Sequence, residues 1–304
     1  MTASVGQHLL SGALSGLTST VALQPFDLLK TRLQQPDVRN VHGDILRTSR
    51  AILAQNGLRG LWRGTTPSLA RNIPGIALYM TGLTQLRTFM ATSPLFQRLP
   101  PPGTSASSVL PTLSPTGNLI AGAAMRVAVG FVLNPISVLK ARYESNLHSL
   151  PSLPVALREL ARAGPAELTR GFFASAVRDA PYAGLFVLIY EGCKREANMT
   201  FPSLPAPAIH SASAAIAGTL ATLATHPFDV VKTKIQVRPE ARYQGFLRTV
   251  NTVWETRGAA GFFDGASLRL TRKVLSSAIG WAVYEGVLGF VRRRSLVQKT
   301  LEDD

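Results

Sequence analysis

Acidic and basic side chains stand three residues apart in a phrase that the chain repeats three times. The phrase reads PFDLLK from Pro25, PISVLK from Pro135 and PFDVVK from Pro227. Residues three apart on a helix share one face, so the carboxylate and the ammonium of one phrase can reach those of neighbouring copies. The positions concerned are Asp27, Lys30, Ser137, Lys140, Asp229 and Lys232. Because the second copy has a serine in place of the acid, a ring of these side chains holds two acids for three bases.

An arginine follows each phrase at a near-constant distance. A glycine comes 36–39 residues after each proline, and an arginine stands seven residues beyond the glycine. These arginines are Arg71, Arg178 and Arg272. Asp179 follows the second of them and Lys273 the third. A guanidinium binds a carboxylate through two hydrogen bonds and an adjacent carboxylate binds an ammonium, so Arg178 with Asp179 suits an amino acid. The other interpretation is that these two side chains neutralise each other inside the protein.

The elements that carry these residues are six broken apolar stretches, two in each repeat. The chain is 46% hydrophobic, but each stretch is interrupted by one or two polar residues. The stretches are 5–26, 66–86, 117–139, 172–193, 208–231 and 266–291. Charges at membrane depth face a polar interior, so the pattern predicts six membrane helices around a water-filled cavity. The prolines of the repeated phrase predict a bend in each odd-numbered helix, at Pro25, Pro135 and Pro227.

Shorter segments divide the chain into its repeats. Residues 44–55, 152–163 and 245–257 have helical periodicity and precede or end at a glycine. We expect repeats at 5–92, 117–200 and 207–292. The segment 93–116 is rich in Pro, Ser and Thr and is interpreted as a linker, and 293–304 as a polar tail.

Composition excludes several classes of protein. The net charge of +15 is spread through the connecting segments, which is typical of the basic loops of a membrane protein rather than of one nucleic-acid-binding patch. One cysteine, Cys193, and five scattered histidines predict neither a disulfide within the chain nor a metal site. No catalytic motif is present, so the sequence does not favour an enzyme.

Arg126 breaks the symmetry of the repeats. It lies nine residues before Pro135, where the other two copies have Gly16 and Gly218. Small residues at such positions let membrane helices approach closely. An arginine there either extends to the membrane surface or faces the cavity, and its depth favours the cavity.

The tripled phrase, followed by endings such as Leu61-Trp62-Arg63-Gly64, resembles the signature of the mitochondrial carrier family. The resemblance covers residues 5–292. It implies an all-α membrane protein with six tilted transmembrane helices, three short matrix helices and a threefold pseudo-symmetric barrel. It also implies a multi-pass protein of the mitochondrial inner membrane that opens alternately to its two sides.

The resemblance assigns the charged ring to a matrix gate, formed by the six residues given above. The family's pattern pairs Asp27 with Lys140 and Asp229 with Lys30, and leaves Lys232 a hydrogen bond with Ser137. The second gate of the family, here called the outer gate, falls on the even-numbered helices. Its residues in this chain are Thr84, Arg87, Tyr190, Glu191, Lys194, Tyr284 and Glu285. The first copy lacks the acid and the third lacks the base, so Glu285 with Arg87 is the one formal bridge expected and Thr84 would hydrogen-bond Lys194. We interpret this as an easily opened gate.

Local strings narrow the resemblance within the family. KARYES from Lys140, RDAP from Arg178, Ser137 and Arg126 are similar to the corresponding residues of the family's glycine carriers. This similarity implies import of glycine into the matrix for haem (5-aminolevulinate) synthesis. The substrate-binding residues implied are Arg71, Arg126, Arg178, Asp179, Arg272 and Lys273. The surplus of positive charge leaves open another small or basic amino acid or an anionic metabolite, and a non-transporting scaffold of the same fold is a further alternative.

Partners and cofactors follow from the same resemblance. The substrate is a small molecule, the lipids are those of the inner membrane, and no nucleic acid and no cofactor are expected. The family's pattern places cardiolipin headgroups at the glycines that end the matrix segments, Gly57, Gly164 and Gly258. A working monomer is implied. Uniport, exchange and proton coupling all remain open.

Overall fold

The computed structural model is all-helical over the ranges that it describes. It describes residues 14, 16–35, 45–93, 113–145, 147, 148, 152–201, 205–279, 282, 283 and 286. The first repeat contains α1 (16–22), α2 (Gln24–Leu33), α3 (Ile45–Asn56) and α4 (Thr65–Ala91). The second contains α5 (Pro115–Val132), α6 (Asn134–Glu144), α7 (Leu153–Arg162), α8 (Pro165–Leu168) and α9 (Phe172–Thr200). The third contains α10 (Ala206–Ala224), α11 (His226–Val237), α12 (Phe246–Arg257) and α13 (266–279). Short 3₁₀ helices span Leu58–Trp62, Ala241–Tyr243 and Ala259–Phe263.

Each odd-numbered span is bent at its proline. The break lies two residues before each proline, and the proline stands in the first turn of the helix that follows. In the second repeat the chain bends by 67° at this break. Proline is tolerated at the start of a helix because the amide that it lacks has no partner there. The predicted bends at the three prolines are therefore present as pairs of helices: α1 with α2, α5 with α6, and α10 with α11.

The residue before each proline ties the bend to the start of the following long helix. The Asn134 side-chain amide donates to the carbonyl of Leu168 at 2.7 Å and of Arg170 at 3.2 Å. Gln24 donates in the same way to the carbonyl of Arg63 at 3.2 Å. In the third repeat the imidazole of His226 lies 3.0 Å from the carbonyl oxygen of Asp264. Three different polar side chains thus make the same contact, which keeps the repeats alike.

The helices close into a ring. In the order of the chain, α4 packs against α5, α5 against α9, and α9 against α10. The last helix returns to the first repeat, where Leu268 of α13 packs with Leu28, Leu29 and Leu33 of α2. A glycine with positive φ precedes each of the long helices α4, α9 and α13, and these three glycines have φ values of 92°, 71° and 74°. A left-handed backbone is accessible to glycine without strain, so these positions set the direction in which each of the three helices starts.

The outer surface is apolar, whereas the interior is polar. Large hydrophobic side chains such as Ile73, Met80, Leu188 and Ile216 are exposed on the long helices. By length and hydropathy alone, one described helical stretch, 165–200, is long and apolar enough to cross a membrane, and the bent pair α5–α6 would add a second. The sequence predicted six spans. The criterion misses most of them because polar residues that face the interior lower the mean hydropathy, and because the first and last spans are only partly described.

Candidate substrate site and gates

Ion pairs between neighbouring repeats close one end of the barrel. The Nζ of Lys140 lies 2.8 Å from Oδ2 of Asp27, which joins the second repeat to the first. Lys30 pairs in the same way with Asp229 of the third repeat. Both ion pairs that the family resemblance implied are therefore present, and the matrix gate is closed in this structure.

The three arginines after the shared glycines reach the same gate. The Nη1 of Arg178 donates to Oδ1 of Asp229 at 2.8 Å. Arg272 pairs with Asp27. The Nε of Arg71 donates at 2.7 Å to the hydroxyl of Ser137. Each arginine thus binds the third residue of the repeated phrase in the following repeat, so two arginines bind a carboxylate and Arg71 binds a neutral hydroxyl.

This arrangement corrects one expectation about the serine. The family's pattern pairs Ser137 with Lys232, but the hydroxyl accepts from Arg71 and itself lies 3.2 Å from the carbonyl oxygen of Leu133, to which it donates. The one hydroxyl proton is donated to Leu133, so the serine oxygen is left as an acceptor, and the guanidinium of Arg71 donates to it. Over the described residues, no carboxylate oxygen lies within 4.0 Å of the Lys232 ammonium.

A cavity of about 140 Å³ lies among these residues. Its walls are formed by the matrix gate and by side chains one or two turns away. The lining residues are Asp27, Lys30, Thr31, Arg71, Ser137, Lys140, Ala141, Glu144, Arg178, Asp229, Lys232, Thr233 and Gln236. Three of them carry carboxylates and five carry cationic groups, so the cavity has two positive charges more than it has negative ones. It is suited to a small polar molecule that contains a negatively charged group.

Asp179 and Arg126 lie beside this cavity. Asp179 accepts from Nε of Arg178 at 2.8 Å, so the mutual neutralisation considered from the sequence is present. Arg126 stands over the ring of Tyr79, with its guanidinium carbon 5.5 Å from the ring centre. Arg126 is close enough to Asp179 and Arg71 for their charges to interact, and its role in substrate binding stays a prediction.

Lys273 has a different position from the other candidate substrate residues. Its ammonium contacts the hydroxyl of Tyr182 and lies 3.1 Å from the carbonyl oxygen of Gly218 and 3.2 Å from the hydroxyl of Thr222. These partners belong to α9 and α10, and Lys273 does not line the cavity described above. The ammonium fills the space beside Gly218, where a side chain would collide with it.

Two functional candidates were missed by sequence reasoning. Glu144 is buried and accepts from Thr31 at 2.7 Å and from Gln24 at 3.0 Å, with Nζ of Lys140 at 3.6 Å. Arg269 adds a third cation near Asp229, at 4.0 Å. A signal for Glu144 existed in the repeats, because it lies nine residues after Pro135, where the other copies have glutamine.

The described residues of the outer gate make contacts other than the expected ones. The hydroxyl of Thr84 donates to the carbonyl of Met80 in its own helix, not to Lys194. Lys194 lies 3.4 Å from Glu191, three residues away on the same helix, and that carboxylate is 60% exposed. Tyr190 contacts His210 at 2.7 Å. The expected bridge from Arg87 to Glu285 cannot be placed, because Tyr284 and Glu285 lie outside the described residues. The barrel is thus closed at the repeated phrases, and the ion pair expected at the opposite end stays a prediction.

A further set of contacts joins the repeats outside the cavity. Arg32 donates to the carbonyl of Glu144 at 2.9 Å, and Arg142 to that of Gln236 at 3.3 Å. Glu167, in α8, is paired with Arg142 and with Arg170, the latter at 2.6 Å. Partial burial would raise the pKa of Glu167, but the hydrogen bonds and charges of the two arginines outweigh it and lower the pKa below its ordinary value. This carboxylate therefore remains charged and joins α8 to α6 within the second repeat.

The chain is similar to known proteins along most of its length. The family model described as mitochondrial carrier protein matches residues 2–94, 111–199 and 205–295. A protein of Laccaria bicolor named mitochondrial glycine transporter is 62% identical over 303 aligned positions, which cover 95% of this chain and 98% of the relative. Proteins of the same name from Aspergillus niger and Coccidioides immitis are 46% and 43% identical. They cover 92% and 94% of this chain, and the alignments cover 89% and 90% of those relatives.

Proposed function

The chain belongs to the mitochondrial carrier family, and from that premise we propose that it imports glycine into the mitochondrial matrix. The observation that carries the proposal is Arg178 bound to Asp179 at the edge of a small, positively charged cavity. Glycine presents a carboxylate and an ammonium and has no side chain. It therefore needs one cationic partner, one anionic partner and walls that exclude larger molecules. The names of the relatives support glycine as the substrate.

We infer that substrate binding loosens the matrix gate by competition. Arg178 bridges Asp179 and Asp229, so its guanidinium links the substrate site directly to the gate. A substrate carboxylate competes for this guanidinium and a substrate ammonium competes for Asp179. Both exchanges weaken the contact between Arg178 and Asp229. Alternating access then requires only that the substrate bind better to the intermediate than to the closed gate.

The test is uptake of labelled glycine by liposomes that contain the purified protein. Wild-type protein should accumulate glycine, and Arg178→Ala should abolish uptake while remaining folded in the membrane. The matched control is Arg195→Ala, because the side chain of Arg195 is 70% exposed and pairs with the neighbouring Glu196 at 3.7 Å. Normal uptake by Arg178→Ala would remove that arginine from the site. Absence of glycine uptake by the wild type would refute the proposed substrate.

The same liposomes distinguish the modes of transport. A protein whose outer gate opens easily should take up glycine into liposomes that contain no internal substrate. Uptake that appears only when glycine has been loaded inside would show obligatory exchange and contradict the weak-gate interpretation. Uptake that depends on a pH gradient would indicate coupling to protons.

A second candidate function is transport of a small anion, and the charge of the cavity favours it. The lining has two more cationic groups than carboxylates, which is more than a zwitterion requires. Uptake of a small dicarboxylate or phosphate, with no uptake of glycine, would establish this alternative. Basic amino acids are disfavoured by the same excess of positive charge.

Further features of the proposal concern the setting of the protein. We place it in the inner membrane as a multi-pass monomer that transports its substrate without converting it, and we assign the imported glycine to 5-aminolevulinate synthesis. Cardiolipin is proposed at Gly57, Gly164 and Gly258, each of which has positive φ and directly precedes a short helix. Removal of cardiolipin from the purified protein should lower its unfolding temperature, and adding it back should restore the value.

A further inference from the structure

The repeated phrase creates a ring with one acid missing. In the first and third repeats a carboxylate is shared between a lysine of one neighbour and an arginine of another. Asp27 binds Lys140 and Arg272, and Asp229 binds Lys30 and Arg178. The ring therefore uses one carboxylate to hold two cations at each complete position.

At the third position the same two cations are present but the carboxylate is not. Ser137 occupies it, with Arg71 and Lys232 as the corresponding arginine and lysine, and all three line the cavity. Arg71 binds the serine hydroxyl at 2.7 Å and has no carboxylate oxygen within 4.0 Å among the described side chains. Lys232, whose ammonium also has no carboxylate oxygen within 4.0 Å among the described side chains, lines the cavity together with two other cations, Arg178 and Arg71. This position therefore has two cations and no carboxylate, whereas each complete position has two cations and one carboxylate.

We propose that the carboxylate of the substrate occupies the position that Ser137 leaves without an acid, bound between Arg71 and Lys232. The inference rests on the proposed function and adds to it a specific carboxylate subsite within the matrix gate. A substrate bound there completes the threefold pattern, because its carboxylate stands in for the side chain that the other repeats supply. Serine is small enough to leave room for it, and its hydroxyl can donate a hydrogen bond to the incoming oxygen.

The ammonium of the substrate then lies on the side of Asp179. The carboxylate of Asp179 accepts a hydrogen bond from Arg178 at 2.8 Å, and Arg178 lines the same cavity as Arg71 and Lys232, so Asp179 lies beside the proposed subsite. Glycine is short, so both of its charged groups can be bound only if the two partners are near each other. A solute without a carboxylate would leave Arg71 and Lys232 unpaired, and the site would discriminate against it.

Restoring the acid tests the proposal, because an aspartate at position 137 would compete with the substrate for both cations. Ser137→Asp should raise the KM for glycine about tenfold or more, the factor that a charge-assisted hydrogen bond is worth. The matched control is Ser137→Asn, which fills the same space without the charge, so its own rise in KM measures crowding at this position, and the KM of Ser137→Asp should exceed it by about threefold or more. Ser137→Asp should also unfold at a higher temperature than Ser137→Asn and should gain no further stability from added glycine.

The outcomes separate this inference from the proposed function. If the wild type takes up glycine and the two variants have the same KM, the carboxylate does not bind at position 137 and the inference is wrong, while the proposed function stands. A lower maximal rate with unchanged KM would mean that the aspartate only strengthens the gate, which also overturns the inference. If Ser137→Asp does not fold, Lys232→Gln decides: the inference requires its KM to rise by about tenfold. A wild type without glycine uptake refutes the proposed function itself.

Discussion

Replacing Asp229 by asparagine should destabilise the closed protein more than any other conservative change at the gate. The side chain of Asp229 is 2% exposed and faces three cations. It pairs with Lys30, accepts from Arg178 at 2.8 Å and has Arg269 at 4.0 Å. Asparagine keeps the shape but loses the charge, and its amide group turns two N–H donors toward cations that need an acceptor.

The expected magnitude follows from the burial of the carboxylate. Removing one partner of a buried ion pair costs about 3–5 kcal/mol, because the remaining charge is left uncompensated. For a protein of this size 1 kcal/mol corresponds to a shift of about 2 °C in unfolding temperature, so Asp229→Asn should unfold about 6–10 °C lower. Asp27→Asn should cost less, because Asp27 is 12% exposed and its two partners are more accessible to water.

The assay is thermal unfolding of the purified protein in detergent, followed for both variants and for Glu196→Gln as a control. Glu196 is 68% exposed and lies 3.7 Å from Arg195, so its amide variant should unfold within about 1 °C of the wild type. An Asp229→Asn variant that unfolds at the control temperature would refute the reasoning, since it would mean that the charge of this carboxylate does not stabilise the buried cations. Equal losses for Asp229 and Asp27 would show that burial does not set the magnitude.

Three further predictions concern the matrix contacts, the repeat scaffold and the outer gate. The carboxylate of Glu167 has a pKa below the ordinary 4.5, so its charge stabilises the protein above that pH, and this stabilisation is lost as the pH falls through the lowered pKa. Glu167→Gln should therefore unfold at a lower temperature than the wild type at neutral pH. On acidification its unfolding temperature should fall by less than that of the wild type. Gly171→Ala should destabilise by about 1–3 kcal/mol, because φ is 71° and the new Cβ would lie 2.8 Å from Cγ of Gln236. Thr84→Asp supplies an acid for Lys194 when the outer gate closes, and should slow glycine uptake by up to about fivefold with little change in KM.

Each of these has a comparison that can contradict it. A wild-type unfolding temperature that falls with acid as little as that of Glu167→Gln would show that the carboxylate carries no acid-sensitive stability. Gly184→Ala is the control for Gly171, since a Cβ at Gly184 meets no atom within 4 Å and alanine favours a helix. Equal effects at the two glycines would argue against a conformational role for Gly171. For the outer gate, Thr84→Asn separates charge from size, and an equal slowing by both variants would exclude an ion pair.

The sequence alone determined the architecture of this protein, because the architecture is repeated. Three copies of one phrase in near-constant register define three equivalent units, and equivalent units on a ring place acid beside base between neighbours. Which acid meets which base, Asp27 with Lys140 and Asp229 with Lys30, was implied by the family resemblance, and both pairs are present. The bends at the prolines were predictable from the chemistry of one residue, since proline cannot continue the hydrogen bonds of a helix.

Tertiary structure decided which cation binds each acceptor. The family resemblance paired Ser137 with Lys232, whereas in the structure the hydroxyl of Ser137 accepts a hydrogen bond from Arg71. It also turned Lys273 to the carbonyl of Gly218 and brought Glu144 under Lys140. Such choices depend on distances of a few ångströms between long, flexible side chains that come from different repeats, and several cations compete for each oxygen. Spacing along the chain determines the face of the helix on which a charged side chain lies, whereas only the packing of the helices into a ring determines which cation binds each oxygen.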